Sequence, residues 1–180
     1  AGAGTVVSRA IRLSTVPAPA AVLGTADAPR TFWAAPDEAT VVGSDAATVI
    51  RSDGDDRFRT IKTAADALFS AGDVHAGALA ASPRLFGGFS FHDEHVGTRP
   101  WRGYSAAKFV LSKIQVTYTD GEAWLTINEI ESNPETVQGH LETEAKRIQS
   151  LSEPTTVGDP PGVTERTQTT SKTEWRQSVT

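Results

Sequence analysis

Two histidines flank two carboxylates in the middle of the chain, a combination that can bind a metal ion. The segment is His92-Asp93-Glu94-His95. Zinc sites use such a spacing when both imidazoles lie on one helix face. Here the segment follows an aromatic strand pattern and precedes Gly97, so we expect a solvated loop. We therefore assign no metal site to it.

The other residue types that commonly perform chemistry lack the partners they need. The chain has no cysteine, which excludes disulfides, thiolate metal sites and cysteine nucleophiles. The serines lack a Gly-x-Ser-x-Gly elbow, and Gly87-Gly88 lacks the lysine–serine pair of a phosphate-binding loop. His75 and His140 are isolated, so we expect them at the surface or at the core boundary. These patterns assign no catalytic, cofactor-binding or metal-binding residue.

An aromatic and a cationic side chain are adjacent near the centre of the sequence. Trp101, Arg102, Gly103 and Tyr104 can present a ring and a positive charge to an anionic ligand. A tryptophan beside a strand is more often part of the core or of its rim. We therefore expect a packing role for this segment.

Alternating apolar residues predict strands that must position any site. The predicted strands cover residues 5–13, 31–35, 40–50 and 82–91, followed by a hairpin over 108–127. Asp120-Gly121 forms the turn of the hairpin. Gly87-Gly88 in the 82–91 strand indicates a bulge, or a place where another backbone or a ligand comes close.

Two amphipathic helices complete the predicted fold. The first carries apolar residues at helical spacing and ends at Gly72: Phe58, Ile61, Ala65, Leu68 and Phe69. The second starts at Asn133-Pro134, a typical helix start, and has the apolar stripe Val137, Leu141, Ala145, Ile148 and Leu151. The fold class predicted is α+β, a mainly antiparallel sheet with helices.

Length and charge restrict the class of protein. The chain has 180 residues, enough for one domain with its own core. Its net charge of -5 offers no cationic surface for a nucleic acid. No apolar run approaches the roughly 20 residues that span a bilayer, and the start does not resemble a secretory signal. We therefore expect a cytoplasmic protein without nucleic-acid or membrane partners.

The composition changes near the C-terminus and divides the chain into three parts. Residues 1–152 form the α+β domain, and 153–170, rich in proline, glycine and threonine, are predicted to be a flexible linker. Residues 171–180 start a new helix with Ser171 and Glu174 as a capping box. A helix of about two turns has nothing of its own to pack on. We therefore expect the natural protein to continue beyond Thr180.

The order of the aromatic and glycine motifs resembles the N-terminal half of the isochorismate synthases. These belong to the chorismate-utilising enzymes, with the anthranilate, aminodeoxychorismate and salicylate synthases. The similarity covers about residues 5 to 128 and, further on, Trp175 and Val179. Its motifs are, in order, Thr31-Phe32-Trp33-Ala34-Ala35-Pro36, Val41-Val42-Gly43-Ser44-Asp45-Ala46-Ala47, Pro83-Arg84-Leu85-Phe86-Gly87-Gly88-Phe89-Ser90-Phe91, and Trp101 through Phe109-Val110-Leu111.

The resemblance implies a two-sheet α+β fold to which both halves of the parent chain contribute strands. Without the C-terminal half, some apolar surface would stay bare, and the piece is expected to dimerise, to aggregate or to be marginally stable. The reaction implied for the parent is the Mg²⁺-dependent isomerisation of chorismate to isochorismate, for menaquinone or siderophore synthesis. Trp175 and Val179 resemble the start of the helix that precedes the family's catalytic lysine, which implies that this lysine, the glutamic acid and the magnesium ligands lie beyond residue 180. Lys108, Lys113 and Lys172 do not match the lysine motif. The chain alone is expected to be inactive.

Two other hypotheses stay open at this point. The parent can be an anthranilate or aminodeoxychorismate synthase component, which takes ammonia from a glutaminase partner. Some of those enzymes bind tryptophan near the glycine-pair strand. The chain can also be a non-catalytic ligand-binding or scaffold domain.

Overall fold

A long β-hairpin forms the middle of one sheet, and the helices pack on both sides of it. The computed structural model describes residues 4–36, 38–92, 103–151 and Ser171. The elements within these ranges are β1 (Val6–Arg12), α1 (Pro19–Gly24), β2 (Thr31–Trp33), β3 (Thr40–Ser52), α2 (Arg57–Ser70), β4 (Asp73–His75), a 3₁₀ turn (Leu79–Ala81), β5 (Leu85–Phe89), β6 (Ala107–Thr119), β7 (Glu122–Ile130) and α3 (Pro134–Gln149). The fold is mixed α+β, as predicted.

The sheet is mainly antiparallel and has seven strands in the described residues. Its order is β2-β3-β6-β7-β1-β4, and β5 also pairs with β6. β3 follows one edge of β6 along almost its whole length. On the other edge, residues 107–111 pair with β5 and residues 114–119 pair with β7. The strands β5 and β7 therefore lie end to end along β6.

The hairpin of β6 and β7 confirms the strongest sequence prediction. Asp120 and Gly121 have φ values of 50° and 74°, the left-handed backbone that a two-residue turn with the right twist requires. Pairing runs from Thr119↔Glu122 to Ile114↔Ile127. The alternating apolar residues predicted for both strands are buried or half-buried in this pairing.

Two hydrophobic clusters lie on opposite faces of the sheet. Val6 and Val7 are neighbours in β1 but belong to different clusters, as the alternation of a strand requires. α1 and α3 pack on the face of Val7, where Leu141 of α3 is almost fully buried. α2 packs on the face of Val6 through Ile61 and Leu68. Both faces of the sheet are thus covered by helices over part of their area.

The predicted helices are both present, and the start of α3 has the predicted cap. The Asn133 side chain accepts a hydrogen bond from the Glu135 backbone N–H at 2.8 Å. Pro134 occupies the first turn, where its missing N–H costs nothing. The buried residues of α3 match the predicted stripe from Val137 to Ile148.

Three elements were not predicted from the sequence, namely α1, β4 and the 3₁₀ turn. α1 begins at Pro19, between the predicted strands 5–13 and 31–35. The three-residue strand β4 pairs in parallel with β1, from Val7↔Asp73 to Arg9↔His75. Such a short element has no periodicity that a sequence can reveal.

The proposed linker over 153–170 and the helix predicted after Ser171 lie outside the described residues. In the ranges that the structure covers, no helix has the length and apolar character needed to cross a bilayer. Several large apolar side chains are exposed, and Leu79 is the most exposed leucine among them at 86%.

Replacing Leu141 with alanine should lower the free energy of unfolding by about 2–5 kcal/mol, because the change leaves a cavity beneath α3. Urea denaturation followed by circular dichroism measures the loss. The matched control is Leu79→Ala at the exposed position, which should change stability by less than about 0.5 kcal/mol. Equal effects of the two substitutions would contradict the packing of α3 on the sheet.

Tyr118 gives a prediction about alkaline pH. Its hydroxyl is buried and has no hydrogen-bond partner among the described residues. Burial raises the pKa of Tyr118 to about 12. Because the unfolded chain releases this proton near pH 10, the free energy of unfolding should fall as the pH rises from 10 to 12.

The substitution Tyr118→Phe should remove this contribution to the fall in the free energy of unfolding at alkaline pH. It also removes a buried, unpaired hydroxyl, so stability at pH 7 should stay equal or rise by up to about 1–2 kcal/mol. Urea denaturation of both proteins at pH 7, 10 and 11.5 makes the comparison. A destabilised phenylalanine variant at pH 7 would show that the hydroxyl has a partner in solution.

Candidate functional site

An open groove of about 620 Å³ lies beside the glycine-pair strand. Its lining comes from three segments that are distant in sequence, namely residues 29–33 before and within β2, residues 85–87 of β5 and residues 108–110 of β6. Each segment includes part of one of the motifs on which the family resemblance rests. The sheet therefore brings three of those motifs together at one surface.

Strand pairing explains how these segments meet. β2 pairs with β3, β3 pairs with β6, and β6 pairs with β5. Gly43 of β3 permits a close approach, because a Cβ there would lie 2.2 Å from the Ser112 Oγ and 3.0 Å from the Thr31 Cβ. A larger residue at position 43 would push β2 and β6 away from β3.

The two glycines of β5 have different surroundings. A Cβ on Gly87 would lie 2.0 Å from the Lys108 carbonyl oxygen, closer than any real contact of this kind. The prediction of a close backbone approach is thus confirmed at Gly87. A Cβ on Gly88 would meet nothing within 4 Å, so this second glycine leaves open space beside Lys108, its partner in β6.

Aromatic side chains form much of the groove. Phe32 and Trp33 on the sheet edge are 53% and 52% exposed. The wall at β5 and β6 is supported by a row of rings, with centroids 4.3 Å apart for Phe58–Phe89 and 5.0 Å apart for Phe89–Phe109. This row connects α2 to the strands that line the groove.

Arg57 holds the outer end of this aromatic row. The guanidinium carbon lies 4.6 Å from the centroid of the Phe58 ring. Arg57 also donates hydrogen bonds to the carbonyl oxygens of Gly54 and Ser90. The side chain is almost fully buried, so the start of α2 is fixed to the residue that follows β5.

Two exposed cations lie among the aromatic rings. Arg30 and Lys108 line the groove, and neither forms an ion pair with another described residue. The described residues of the lining include no carboxylate. Its electrostatic potential therefore favours an anion, and its rings favour a flat apolar group.

The histidine-rich segment is only partly described. His92 is exposed and lies outside the strands, in agreement with the predicted loop. Asp93, Glu94, His95 and the Trp101-Arg102 pair lie outside the described residues. Tyr104, the described aromatic residue of that second segment, is exposed. No group of three metal-binding side chains occurs in the ranges that the structure covers.

His75 lies at the surface, as expected, and away from the groove lining. Its Nε2 is 2.9 Å from Oδ1 of Asp73, whose Oδ2 is 2.8 Å from the Arg9 guanidinium. The hydrogen bond from Arg9 lowers the pKa of Asp73. These contacts join the edge strand β4 to β1 and have no catalytic arrangement.

His140 is also exposed and has a similar structural role. Its Nδ1 is 2.6 Å from Oε1 of Glu129, which joins α3 to β7. Burial alone would raise the pKa of Glu129, but hydrogen bonds from Ser132 and His140 hold this pKa below its usual value. The Lys113 Nζ lies 3.8 Å from the same carboxylate.

The two cations of the groove share no signal in the sequence. Arg30 and Lys108 are 78 positions apart, and no spacing rule connects them. Each residue has only a local signal, its position near the start of a strand that carries an aromatic motif. Arg30 directly precedes β2, and Lys108 is the second residue of β6. Only the pairing through β3 shows that the two segments lie at one surface.

A comparison with protein-family models shows to which family this chain belongs. The model of a family described as chorismate binding enzyme matches residues 3–180. The chain belongs to the chorismate-binding enzyme family. The comparison with curated proteins gives no match. The match includes all three segments that line the groove.

The two glycines provide a matched pair of substitutions. Gly87→Ala should lower the free energy of unfolding by about 1–3 kcal/mol, because β5 must move away from the Lys108 carbonyl. Gly88→Ala should leave stability equal or slightly higher, since the space around its Cβ is open. Urea denaturation of both variants measures the difference. A more damaging change at Gly88 would contradict the described position of β5.

Proposed function

We propose that this chain is the N-terminal part of an isochorismate synthase. Its role there is to form the groove, and the rest of the enzyme performs the acid–base chemistry on chorismate. The observation that supports this proposal is the meeting of three motif segments at one surface. The family match over 3–180 supports a chorismate-utilising enzyme, and the order of the motifs favours the isochorismate synthases within it.

The chemistry of the proposed reaction requires groups that the described residues of the groove lack. Conversion of chorismate to isochorismate adds water at one ring carbon and removes a hydroxyl from another. One group must take a proton from the water, and an acid must protonate the departing hydroxyl. The described residues of the groove lining include a lysine but no carboxyl group. The described part of this chain therefore has no acid–base pair for this reaction.

The lysines of the described sheet do not act as the base in this proposal. Lys113 is not in the groove lining, and its ammonium group faces Glu129 on β7. Lys108 is exposed at the groove, where Gly88 leaves the adjacent space open to water. Both positions also differ from the lysine motif of the family, as the sequence resemblance implied.

The described residues offer no cluster of ligands for the magnesium ion of the proposed reaction. Mg²⁺ prefers carboxylate oxygens, and no group of three suitable side chains occurs in the described ranges. We propose that the residues which hold the ion belong to the rest of the enzyme. The contribution of this chain is electrostatic: Arg30 and Lys108 attract a substrate that carries two carboxylates.

The test measures isochorismate formation from chorismate and Mg²⁺ with two samples. One is the 180-residue chain, and the other is the product of the whole gene. We expect product only from the latter, because in this proposal the acid–base pair belongs to the rest of the enzyme. Chromatography of the reaction mixture separates isochorismate from chorismate.

Each other outcome of this assay contradicts the proposal in a different way. Isochorismate from the 180-residue chain would show that an undetected acid–base pair is present. An aminated product with ammonia, together with tryptophan binding, would indicate an anthranilate or aminodeoxychorismate synthase component. Absence of any reaction in both samples would favour a non-catalytic domain.

A further inference from the structure

The chain crosses one face of the sheet between β4 and β5. β4 lies beside β1 at one end of the strand order, whereas β5 pairs with β6. Residues 76–84, called the crossover below, must therefore pass β1 and β7. The 3₁₀ turn Leu79–Ala81 lies within the crossover and contacts β6 and β7. Ala81 is fully buried there, so part of the crossover is enclosed by the fold.

Polar side chains of the sheet bind the backbone of the crossover. Buried backbone groups outside a strand need other hydrogen-bond partners. The Thr126 hydroxyl donates to the Ala81 carbonyl at 2.7 Å. The Gln115 Nε2 donates to the Ser82 carbonyl at 3.1 Å, and the Gln115 Oε1 accepts from the Arg84 N–H at 3.2 Å. Gln115 thus holds the crossover at two points.

An amide side chain carries both the donor and the acceptor that these two bonds need at position 115. Gln115 has no exposed surface, and its Nε2 also donates to the Thr117 hydroxyl at 3.2 Å, which fixes the orientation of the amide. An ionised glutamate would have no donor for the Ser82 carbonyl. A leucine would leave both Ser82 and Arg84 without this partner.

The position of Gln115 determines where β5 begins on β6. Arg84, which donates to Gln115, directly precedes the first residue of β5. Gln115 itself belongs to β6, four positions beyond Leu111, the partner of Leu85. The Arg84–Gln115 hydrogen bond and the Leu85–Leu111 pairing therefore lie at a fixed spacing along β6.

A different register of β5 would conflict with the close approach at Gly87. A shift of β5 by one residue along β6 places Phe86 or Gly88 in the position that Gly87 now occupies, opposite Phe109. Phe86 there would bring a Cβ against the Lys108 carbonyl, where no room exists. A shift toward Gly88 would displace Arg84 by one residue, about 3.3 Å, from its present position beside Gln115.

We propose that Gln115 is a positioning residue for the groove. Its two hydrogen bonds to the crossover set the register of β5 on β6, and they thereby place Phe86 and Gly87 in the groove wall. This inference rests on the proposed function in one respect, because it takes the groove to be the functional site. The positioning of β5 itself requires no chorismate chemistry.

Hydrogen exchange followed by mass spectrometry tests the proposal with Gln115→Leu. We expect amide exchange across Leu85–Phe89 to become roughly tenfold faster or more, because β5 loses its anchor at Arg84. Exchange across β1 and β7 should stay within about twofold. Gln138→Leu, the same substitution at an exposed position of α3, is the matched control and should change neither region.

A second variant separates positioning from general destabilisation. In Gln115→Glu, an ionised carboxylate cannot donate to the Ser82 carbonyl, whereas a protonated carboxyl group can donate to it and also accept from Arg84. Because burial raises the pKa of a carboxyl group at this position, β5 should be protected at pH 5 and should lose protection as the pH rises through that raised pKa, after correction for intrinsic exchange rates. This rescue keeps the proposal testable even where the leucine variant fails to fold.

Three outcomes would overturn the proposal. Unchanged exchange of β5 in both variants would show that other contacts set its register. Equally faster exchange in β5, β1 and β7 would show a general loss of stability. Exchange of Gln115→Glu without pH dependence would exclude the donor role of the amide. None of these results depends on enzyme activity, so an inactive whole-gene product leaves the positioning result intact.

Discussion

The architecture depends on β6, a single strand that must pair with three others. β3 occupies one edge of β6, while β5 and β7 share the other. Buried residues of β6 also belong to both hydrophobic clusters, with Val116 facing α3 and Leu111 facing α2. Because the backbone of β6 connects these contacts, a change in the position of β6 would alter both the groove and the packing of α3.

Local signals explain why much of the fold is predictable from the sequence. The hairpin of β6 and β7 has an Asp-Gly turn between two alternating patterns, and α3 has a proline-containing start after Asn133. These features require no knowledge of distant residues. The same holds for Gly87, because two adjacent glycines in a strand pattern indicate a close approach wherever the strand lies.

The elements that escaped prediction depend on distant partners. β4 exists because Asp73–His75 pairs with β1, more than 60 positions earlier, and Arg9 binds Asp73 there. The cations of the groove come together only through the pairing of β2, β3 and β6. The polar residues Gln115 and Thr126 alternate with apolar neighbours, a pattern typical of solvent-facing positions, but the crossover buries them. Sequence periodicity predicts the face of a strand and not what covers it.

The first strand of the sheet has a consequence for the order in which the protein folds. β1 pairs with β7, so Val6 lies opposite Ile130. During synthesis, β1 leaves the ribosome long before β4 and β7, the two strands that flank it, have been made. Val6 and Val7 therefore stay without a core until the hairpin of β6 and β7 has formed. Contacts this distant in sequence are associated with slow folding. An apolar strand that waits for its partner is also a surface to which chaperones and other unfinished chains bind.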